Sequence, residues 1–203
     1  MKYTIVLAFI WSVLSLAEAA TVTIASGLGS VQGITVKTAE GAILSGGGYY
    51  IAVGSFDIVP TISGGTMDLS PYVDAMNIFA TMTSPTATGY HQGAIYGTLI
   101  SISNPTLFNS RQIYIVVGNG ASRATSTEFA ILTSATNILF PGDVTSVALT
   151  TIQLFSIANS VVLPNAGTEI EGGAARDMIQ LVPEPSAVLL GLLGVPGLLR
   201  RRR

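Results

Sequence analysis

The sequence predicts an all-β protein, built as a single antiparallel β-sandwich-like domain with one short helix. Short runs of β-branched and aromatic residues alternate with glycine, proline, asparagine and serine, which is typical of strands joined by turns. Helical periodicity is rare between the two ends of the chain. Each end carries an uncharged apolar segment, and we expect these segments to flank the domain as an N-terminal signal peptide and a C-terminal transmembrane sorting helix.

Seven runs have the composition of strands. Tyr114-Ile115-Val116-Val117 is apolar throughout, which predicts a central strand that is buried on both faces. The predicted strands are Thr21–Ala25, Gly33–Thr38, Tyr49–Phe56, Ala94–Ser101, Gln112–Gly118, Thr127–Thr133 and Ala148–Phe155.

One segment has the features of a helix. Ser70 is a good N-cap residue, and Pro71 occupies the first helical position, where proline is favoured. Tyr72, Met76, Phe79 and Met82 follow at helical spacing. The sequence therefore predicts a helix that begins at Ser70, ends before the loop that follows Met82, and covers one end or one face of the sheet.

The N-terminal segment, residues 1–19, has the three parts of an export signal. Lys2 supplies a positive charge, and residues 5–16 form an apolar run. Ala17 and Ala19 fit the small-x-small pattern that precedes cleavage, so we expect the cut after Ala19. The alternative is an uncleaved anchor, but twelve apolar residues are few for a membrane span.

The C-terminal segment, residues 182–203, places a turn, an apolar run and a block of charge in that order. Pro183 and Pro185 cannot continue a helix, whereas Ser186 can cap one. Residues 187–199 are uncharged and would rise about 20 Å as a helix, which suits a marginal membrane span. The alternative is a core helix with a basic end, but such a helix should have a polar face. The positive-inside rule keeps the following basic residues, Arg200, Arg201, Arg202 and Arg203, on the cytoplasmic side.

These C-terminal residues resemble a known sorting signal. Val182-Pro183-Glu184-Pro185, the apolar run and the four arginines are similar to the PEP-CTERM signal of proteins exported by Gram-negative bacteria. The resemblance implies export by Sec-type machinery, recognition by a membrane-embedded exosortase, and cleavage near Pro-Glu-Pro. It also implies release to the cell surface or the medium, in association with exopolysaccharide and biofilm material.

A second, weaker resemblance covers about residues 53–155. Residues 111–117, residues 128–132 and the pair Phe140-Pro141 are similar to mature domains often found before PEP-CTERM tails. Those domains have no assigned activity. This resemblance therefore supports one β-domain and gives no support for catalysis.

Composition limits what lies between the signals. We assign residues 20–163 to the β-rich mature domain and residues 164–181, which are polar and glycine-rich, to a flexible linker. There are no cysteines, so the domain must be held by its core alone. Residues 20–182 carry four basic and nine acidic side chains, a net charge of −5, which argues against nucleic acid as a partner.

No residue set predicts catalysis, a metal site or a cofactor. His91 is the only histidine, and no Gly-x-Ser-x-Gly motif surrounds a serine. Asp57, Asp68 and Asp74 are candidate calcium ligands, although three surface carboxylates is the simpler interpretation. The tyrosines that could stack on sugars are Tyr49, Tyr50, Tyr72, Tyr90 and Tyr96, for which core packing is the simpler interpretation.

Three hypotheses for function follow, in descending order. The first is a non-enzymatic protein of the cell surface or extracellular matrix, anchored in the membrane until its C-terminal signal is processed. The second is a carbohydrate-binding module whose partner is an exopolysaccharide. The third is a glycan hydrolase, which needs a pair of carboxylates across a cleft that the sequence alone does not identify.

Overall fold

The computed structural model describes residues 20–25, 34–44, 48–58, 69–83, 96–101, 105–134, 138–142, 149–153, 160–163, 165–171 and 174–184. These residues form mostly antiparallel strands with one short α-helix, which confirms the all-β prediction. The signal peptide, the apolar run and the four terminal arginines lie outside the described residues.

Twelve strands lie in three sheets of the described chain. The strands are β1 (Ala20–Ala25), β2 (Thr35–Lys37), β3 (Tyr50–Ser55), β4 (Asn77–Thr83), β5 (Tyr96–Ser101), β6 (Tyr114–Gly118), β7 (Glu128–Ser134), β8 (Leu149–Gln153), β9 (Ser160–Leu163), β10 (Asn165–Glu171), β11 (Ala174–Gln180) and β12 (Val182–Pro183), and the helix α1 is Ser70–Ala75. All seven predicted strands are present among the described residues, with ends that agree to within two residues.

The largest sheet has the order β12-β7-β6-β3-β4 and is antiparallel throughout. Strand β9 also pairs with β7, beside its C-terminal half, while β12 lies beside its N-terminal half. Every residue of β3 and β6 is buried, as the apolar run at residues 114–117 predicts. Since successive side chains of a strand point to opposite faces, this sheet must be covered on both sides.

The first face of this sheet is covered by the two smaller sheets, β5-β1-β8 and β10-β11-β2. One cluster of buried side chains, the first core cluster, includes residues of all three sheets, among them Ile24, Val36, Ile115 and Ile179. Pairing is mixed in the smaller sheets, because β1 runs parallel to β8 and β11 runs parallel to β2.

Among the described residues, α1 packs on the second face. Val73 and the flanking Leu69 and Met76 pack with Tyr114, Val116 and their neighbours in the second core cluster. The helix has only six residues, and its capping residue Leu69 makes no side-chain capping bond. Most of its stability must therefore come from the burial of its apolar side chains against the sheet.

The predicted helix begins at Ser70 in the structure, but its N-cap is Leu69 and not Ser70, which is already helical. The predicted end is wrong: the helix stops at Ala75, and residues 77–83 form strand β4 instead. Pairing with β3 outweighs the local helical spacing, because it places Phe79 and Met82 against the first core cluster. A register shift between Val53 and Gly54 allows this, and a Cβ atom at Gly54 would lie 2.1 Å from the Asn77 carbonyl oxygen.

The structure also differs from the flexible linker predicted over residues 164–181. Residues 165–171 and 174–180 form β10 and β11, which pair with each other along their full length. Ile179 and Leu181 are buried in the first core cluster, and Val182 is buried in the second. The core thus continues past residue 163, because this polar segment is ordered by strand pairing that its composition does not indicate.

Candidate functional site around the Pro-Glu-Pro segment

The start of the Pro-Glu-Pro segment is paired with the central sheet. In β12, Val182 lies opposite Phe129 and Pro183 lies opposite Glu128 of β7. The pairing continues past the strand, since the Glu184 amide donates to the Thr127 carbonyl at 2.7 Å. Proline lacks an amide donor, so its place on a strand at the sheet edge is a favourable one. Residues 182–184 are therefore held as an edge strand.

Burial fixes this segment from both sides of the sheet. The Leu181 amide donates to the Lys37 carbonyl at 2.8 Å, and the Leu181 side chain is 1% exposed in the first core cluster. The next side chain, Val182, is 6% exposed in the second core cluster. The chain therefore crosses from one side of the sheet to the other at this point, directly before the Pro-Glu-Pro residues.

Arg123 makes charged contacts with two separate parts of the chain. Its Nη1 atom forms an ion pair with Glu184 Oε1 at 2.8 Å. Its Nε and Nη2 atoms donate to Asp74 Oδ1 on α1, at 3.2 and 2.9 Å. The guanidinium carbon lies 4.5 Å from the centre of the Phe129 ring, within cation–π range. Arg123 thus connects α1, the sheet and the Pro-Glu-Pro segment.

The loop between β6 and β7 holds Arg123 in position. Ser122 and Thr125 form a reciprocal capping box around a single 3-10 turn, Arg123–Thr125. The Asn119 side chain accepts from the Thr127 amide at 2.8 Å and from the Glu128 amide at 3.2 Å. These local bonds order the loop, so Arg123 is presented to its partners at a low entropic cost.

The same loop explains two glycines at the end of β6. A Cβ atom on Gly118 would lie 2.5 Å from Ser126 Oγ, and one on Gly120 would lie 2.4 Å from the Thr125 carbonyl oxygen. The Gly120 amide donates to Ser126 Oγ at 3.0 Å. The predicted turn at residues 118–120 is therefore the tightly packed beginning of a longer loop.

A buried carboxyl group lies on the opposite side of the same strand pair. Glu128 is 7% exposed, and its Oε2 atom accepts from the Ala39 amide at 2.8 Å. Burial raises the pKa of Glu128, the Ala39 hydrogen bond opposes that shift, and the nearby Glu40 carboxylate adds to it. Gln180 donates to the Ala39 carbonyl at 2.5 Å. The turn at residues 38–42 is thereby fastened to both β7 and β11.

The candidate calcium ligands have other partners in the structure. Asp57 forms an ion pair with Arg111, whose hydrogen bond to it is the main reason that the pKa of Asp57 is lowered, with a further contribution from Asn77. Asp74 bonds to Arg123. Asp68 and His91 lie outside the described residues. Within the part of the chain that the structure describes, no three histidine, aspartate or glutamate side chains are grouped closely enough to hold a metal ion.

The tyrosines considered for sugar stacking are divided between the core and other positions. Tyr49 and Tyr50 are each 5% exposed and belong to the two core clusters. Tyr72 is half-buried against the second core cluster. Tyr96 lies in β5, with no side chain described, and Tyr90 lies outside the described residues. For Tyr49 and Tyr50, the simpler interpretation of core packing is confirmed.

Of the predicted sorting residues, the structure places Val182, Pro183 and Glu184, whereas Pro185, the four arginines and the cleavage residues Ala17 and Ala19 lie outside the described residues. The sequence analysis missed Arg123. The one sequence feature that distinguishes Arg123 is that basic residues are rare, since it is one of four between the predicted signal peptide and the predicted sorting signal. Its pairing with Glu184, 61 positions away, follows from the β7–β12 pairing, which local sequence does not indicate.

Comparison with known proteins adds no family to this geometry: no protein-family model, curated protein or solved structure matches the chain. Among the described helices, none is long and apolar enough to cross a membrane. That search does not include residues 187–199, which are not described.

Proposed function

We propose that this chain is an exported protein of the cell surface or extracellular matrix, with a β-sandwich-like mature domain, and that an exosortase processes it at a PEP-CTERM signal. The observation that carries the proposal is the order of three features: Pro183-Glu184-Pro185, thirteen uncharged residues, and four consecutive arginines. A helix of that length with a cationic end suits a transient membrane span whose arginines stay in the cytoplasm.

The position of the motif supports this proposal. The last described strand ends at Pro183, and the apolar run begins at Ala187, so the folded domain and the apolar run are separated by three residues. A processing enzyme in the membrane would therefore meet the motif at the border of the folded domain. Among the described residues, the last buried one is Val182.

A polysaccharide-binding role and a hydrolase role both receive less support. Two of the five candidate tyrosines are buried in the core. The described carboxylates of Asp57 and Asp74 each form an ion pair with an arginine. Catalytic carboxyl pairs need one group with a raised pKa facing a cleft, and the one described carboxyl with a raised pKa, Glu128, bonds to the Ala39 amide.

Intact-mass measurement of the protein recovered from its native host tests the proposal. We expect a species that lacks residues 1–19 and also lacks the apolar run with its arginines. A variant with all four terminal arginines replaced by glutamine should keep its C-terminal segment uncleaved, because the topology signal is lost. The matched control is Arg176→Gln, which removes a positive charge outside the signals and should be processed normally.

Recovery of the wild-type precursor as a stable cytosolic protein, with all 203 residues, would contradict the proposal. Normal processing of the variant without terminal arginines would contradict the assigned role of the arginine cluster.

A further inference from the structure

We propose that the N-terminal half of β7, together with Arg123, is a binding site for an extended Val-Pro-Glu segment, and that the segment must leave this site before a protease can bind it. The first part rests on the contacts of residues 182–184. The second part rests on the proposed function, because it concerns the processing of those same residues.

The site recognises the three residues by three different kinds of contact. Val182 fills a place in the second core cluster, where its side chain is 6% exposed. Pro183 occupies an edge position that needs no amide donor. Glu184 supplies a backbone amide to the Thr127 carbonyl and a carboxylate to Arg123. Apolar burial favours valine, charge favours glutamate, and the edge position accepts the intervening proline, in the manner of peptide recognition by strand addition.

The Arg123 contact is better shielded than an ordinary surface ion pair. The side chains of Arg123 and Glu184 are 30% and 27% exposed, whereas those of Arg111 and Asp57 are 39% and 69% exposed. Arg123 also lies over the Phe129 ring and shares its charge with Asp74. Removal of Arg123 should therefore weaken the binding of the segment more than removal of Arg111, which has no described contact with it.

Proteases bind their substrates as extended chains with free backbone groups, so a segment already paired in a sheet is cleaved only after local opening. Here the Glu184 amide already donates to the Thr127 carbonyl, and the Val182 side chain is buried. From Glu184 to Ala187 the chain spans at most about 11 Å. With the segment bound, the folded domain would lie directly against the membrane and cover the motif.

Amide hydrogen exchange on the full-length chain in detergent micelles tests the binding site. The readout is the exchange rate of the Glu184 amide relative to the amides of β6 in the same sample, which corrects for any change in global stability. In the wild type, we expect this amide to be protected. In Arg123→Gln we expect its relative exchange to accelerate by roughly tenfold, and in the control Arg111→Gln we expect no change.

A Glu184 amide that exchanges as fast as an unstructured peptide in the wild type would overturn the binding site. An unchanged ratio in Arg123→Gln would overturn the role of Arg123. Neither result depends on an exosortase, so both are separate from the proposed function.

Pulse-chase processing in the native host tests the second part. Arg123 lies outside the sorting signal, so Arg123→Gln can change the rate only through the folded domain. We expect C-terminal cleavage to be faster in Arg123→Gln, by a factor similar to that of the exchange, and unchanged in Arg111→Gln. Equal rates in the wild type and Arg123→Gln would overturn the requirement for release. Absence of any cleavage in the wild type would instead refute the proposed function and leave the exchange result to decide the binding site.

Discussion

The two faces of the central sheet are covered in different ways. Among the described residues, the first core cluster contains eighteen buried residues, which include members of all three sheets, whereas the second contains eleven, which include Val73 of the six-residue helix and Val182. Arg123 bonds to both of these segments, through Asp74 on α1 and Glu184 after β12. The first face is therefore stabilised mainly by buried apolar area. On the second face, the polar contacts of Arg123 help to hold α1 and residues 182–184 in place. We therefore expect local unfolding to occur more readily on the second face.

The largest expected effect comes from the first face. Phe140 is 2% exposed and packs against Phe79 and Phe108, with ring centres 4.9 and 5.1 Å away. Phe140→Ala should lower the free energy of unfolding by about 3–5 kcal/mol, measured by urea denaturation. The neighbouring Leu139→Ala is the control, since Leu139 is 46% exposed and should cost about 0.5 kcal/mol or less. A similar loss in both variants would show that this cluster is not the main core.

The next effect concerns the register shift that brings β4 onto the first face. Gly54→Ala should lower the free energy of unfolding by about 2–3 kcal/mol, because the added Cβ would meet the Asn77 carbonyl oxygen at 2.1 Å. Gly142→Ala is the matched control, since the added Cβ would lie 3.4 Å from Ser110 Oγ. Equal stability of Gly54→Ala and the wild type would exclude the close approach of β3 and β4 at this point.

A smaller effect is expected on the second face. Val182→Ala removes two buried methyl groups and should lower the free energy of unfolding by about 1–2 kcal/mol. Ile58→Ala serves as the control, because Ile58 is 85% exposed. If the two variants had the same urea midpoint, Val182 would not be part of the core, and the second face would be covered by α1 alone.

The same contrast shows how far the sequence predicts the structure. Strand β6 contains the apolar run at residues 114–117, and its burial on two faces follows from that composition. The spacing of Met76, Phe79 and Met82 predicts a helix that continues from Ser70 to Met82, and only the pairing with β3 shows that residues 77–83 form a strand. The sequence analysis did not predict strands β10 and β11, because many of their residues are polar. These segments form strands because they pair with each other.

For the candidate site, the sequence predicts the motif but not its surroundings. Pro183, Glu184 and Pro185 stand out by their order before an apolar run and a basic cluster. Thr127 and Arg123 carry no local signal of their contacts with Glu184, since those contacts exist only when β7 and β12 pair. Composition and periodicity do not indicate which strands, distant in sequence, pair with each other.

The smallest predicted effect is a dependence on pH at the β7–β12 pair. Burial raises the pKa of Glu128 above the ordinary glutamate value of 4.5, so the folded state holds this proton more tightly than the unfolded state. The stability due to Glu128 is therefore complete below about pH 4.5 and is lost as the pH rises through the folded-state pKa. Glu128→Gln keeps an acceptor for the Ala39 amide without the charge, so its unfolding free energy should fall less than that of the wild type as the pH rises to 7.

Asp57 provides the opposite control, because Arg111 lowers its pKa below the ordinary value of 3.8. Its contribution is present above that pH and is lost on acidification. Asp57→Asn should therefore flatten the acid side of the stability curve, and on the neutral side it should lower the stability without changing its slope with pH. Urea denaturation of the wild type, Glu128→Gln and Asp57→Asn between about pH 3 and 8 distinguishes the stability that is lost as the pH rises from the stability that is lost on acidification. A Glu128→Gln curve parallel to that of the wild type above about pH 4.5 would show that Glu128 is ionised in the folded state as readily as in the unfolded chain. In that case water would reach the end of β7 that pairs with β12, on the side where Glu128 bonds to the Ala39 amide.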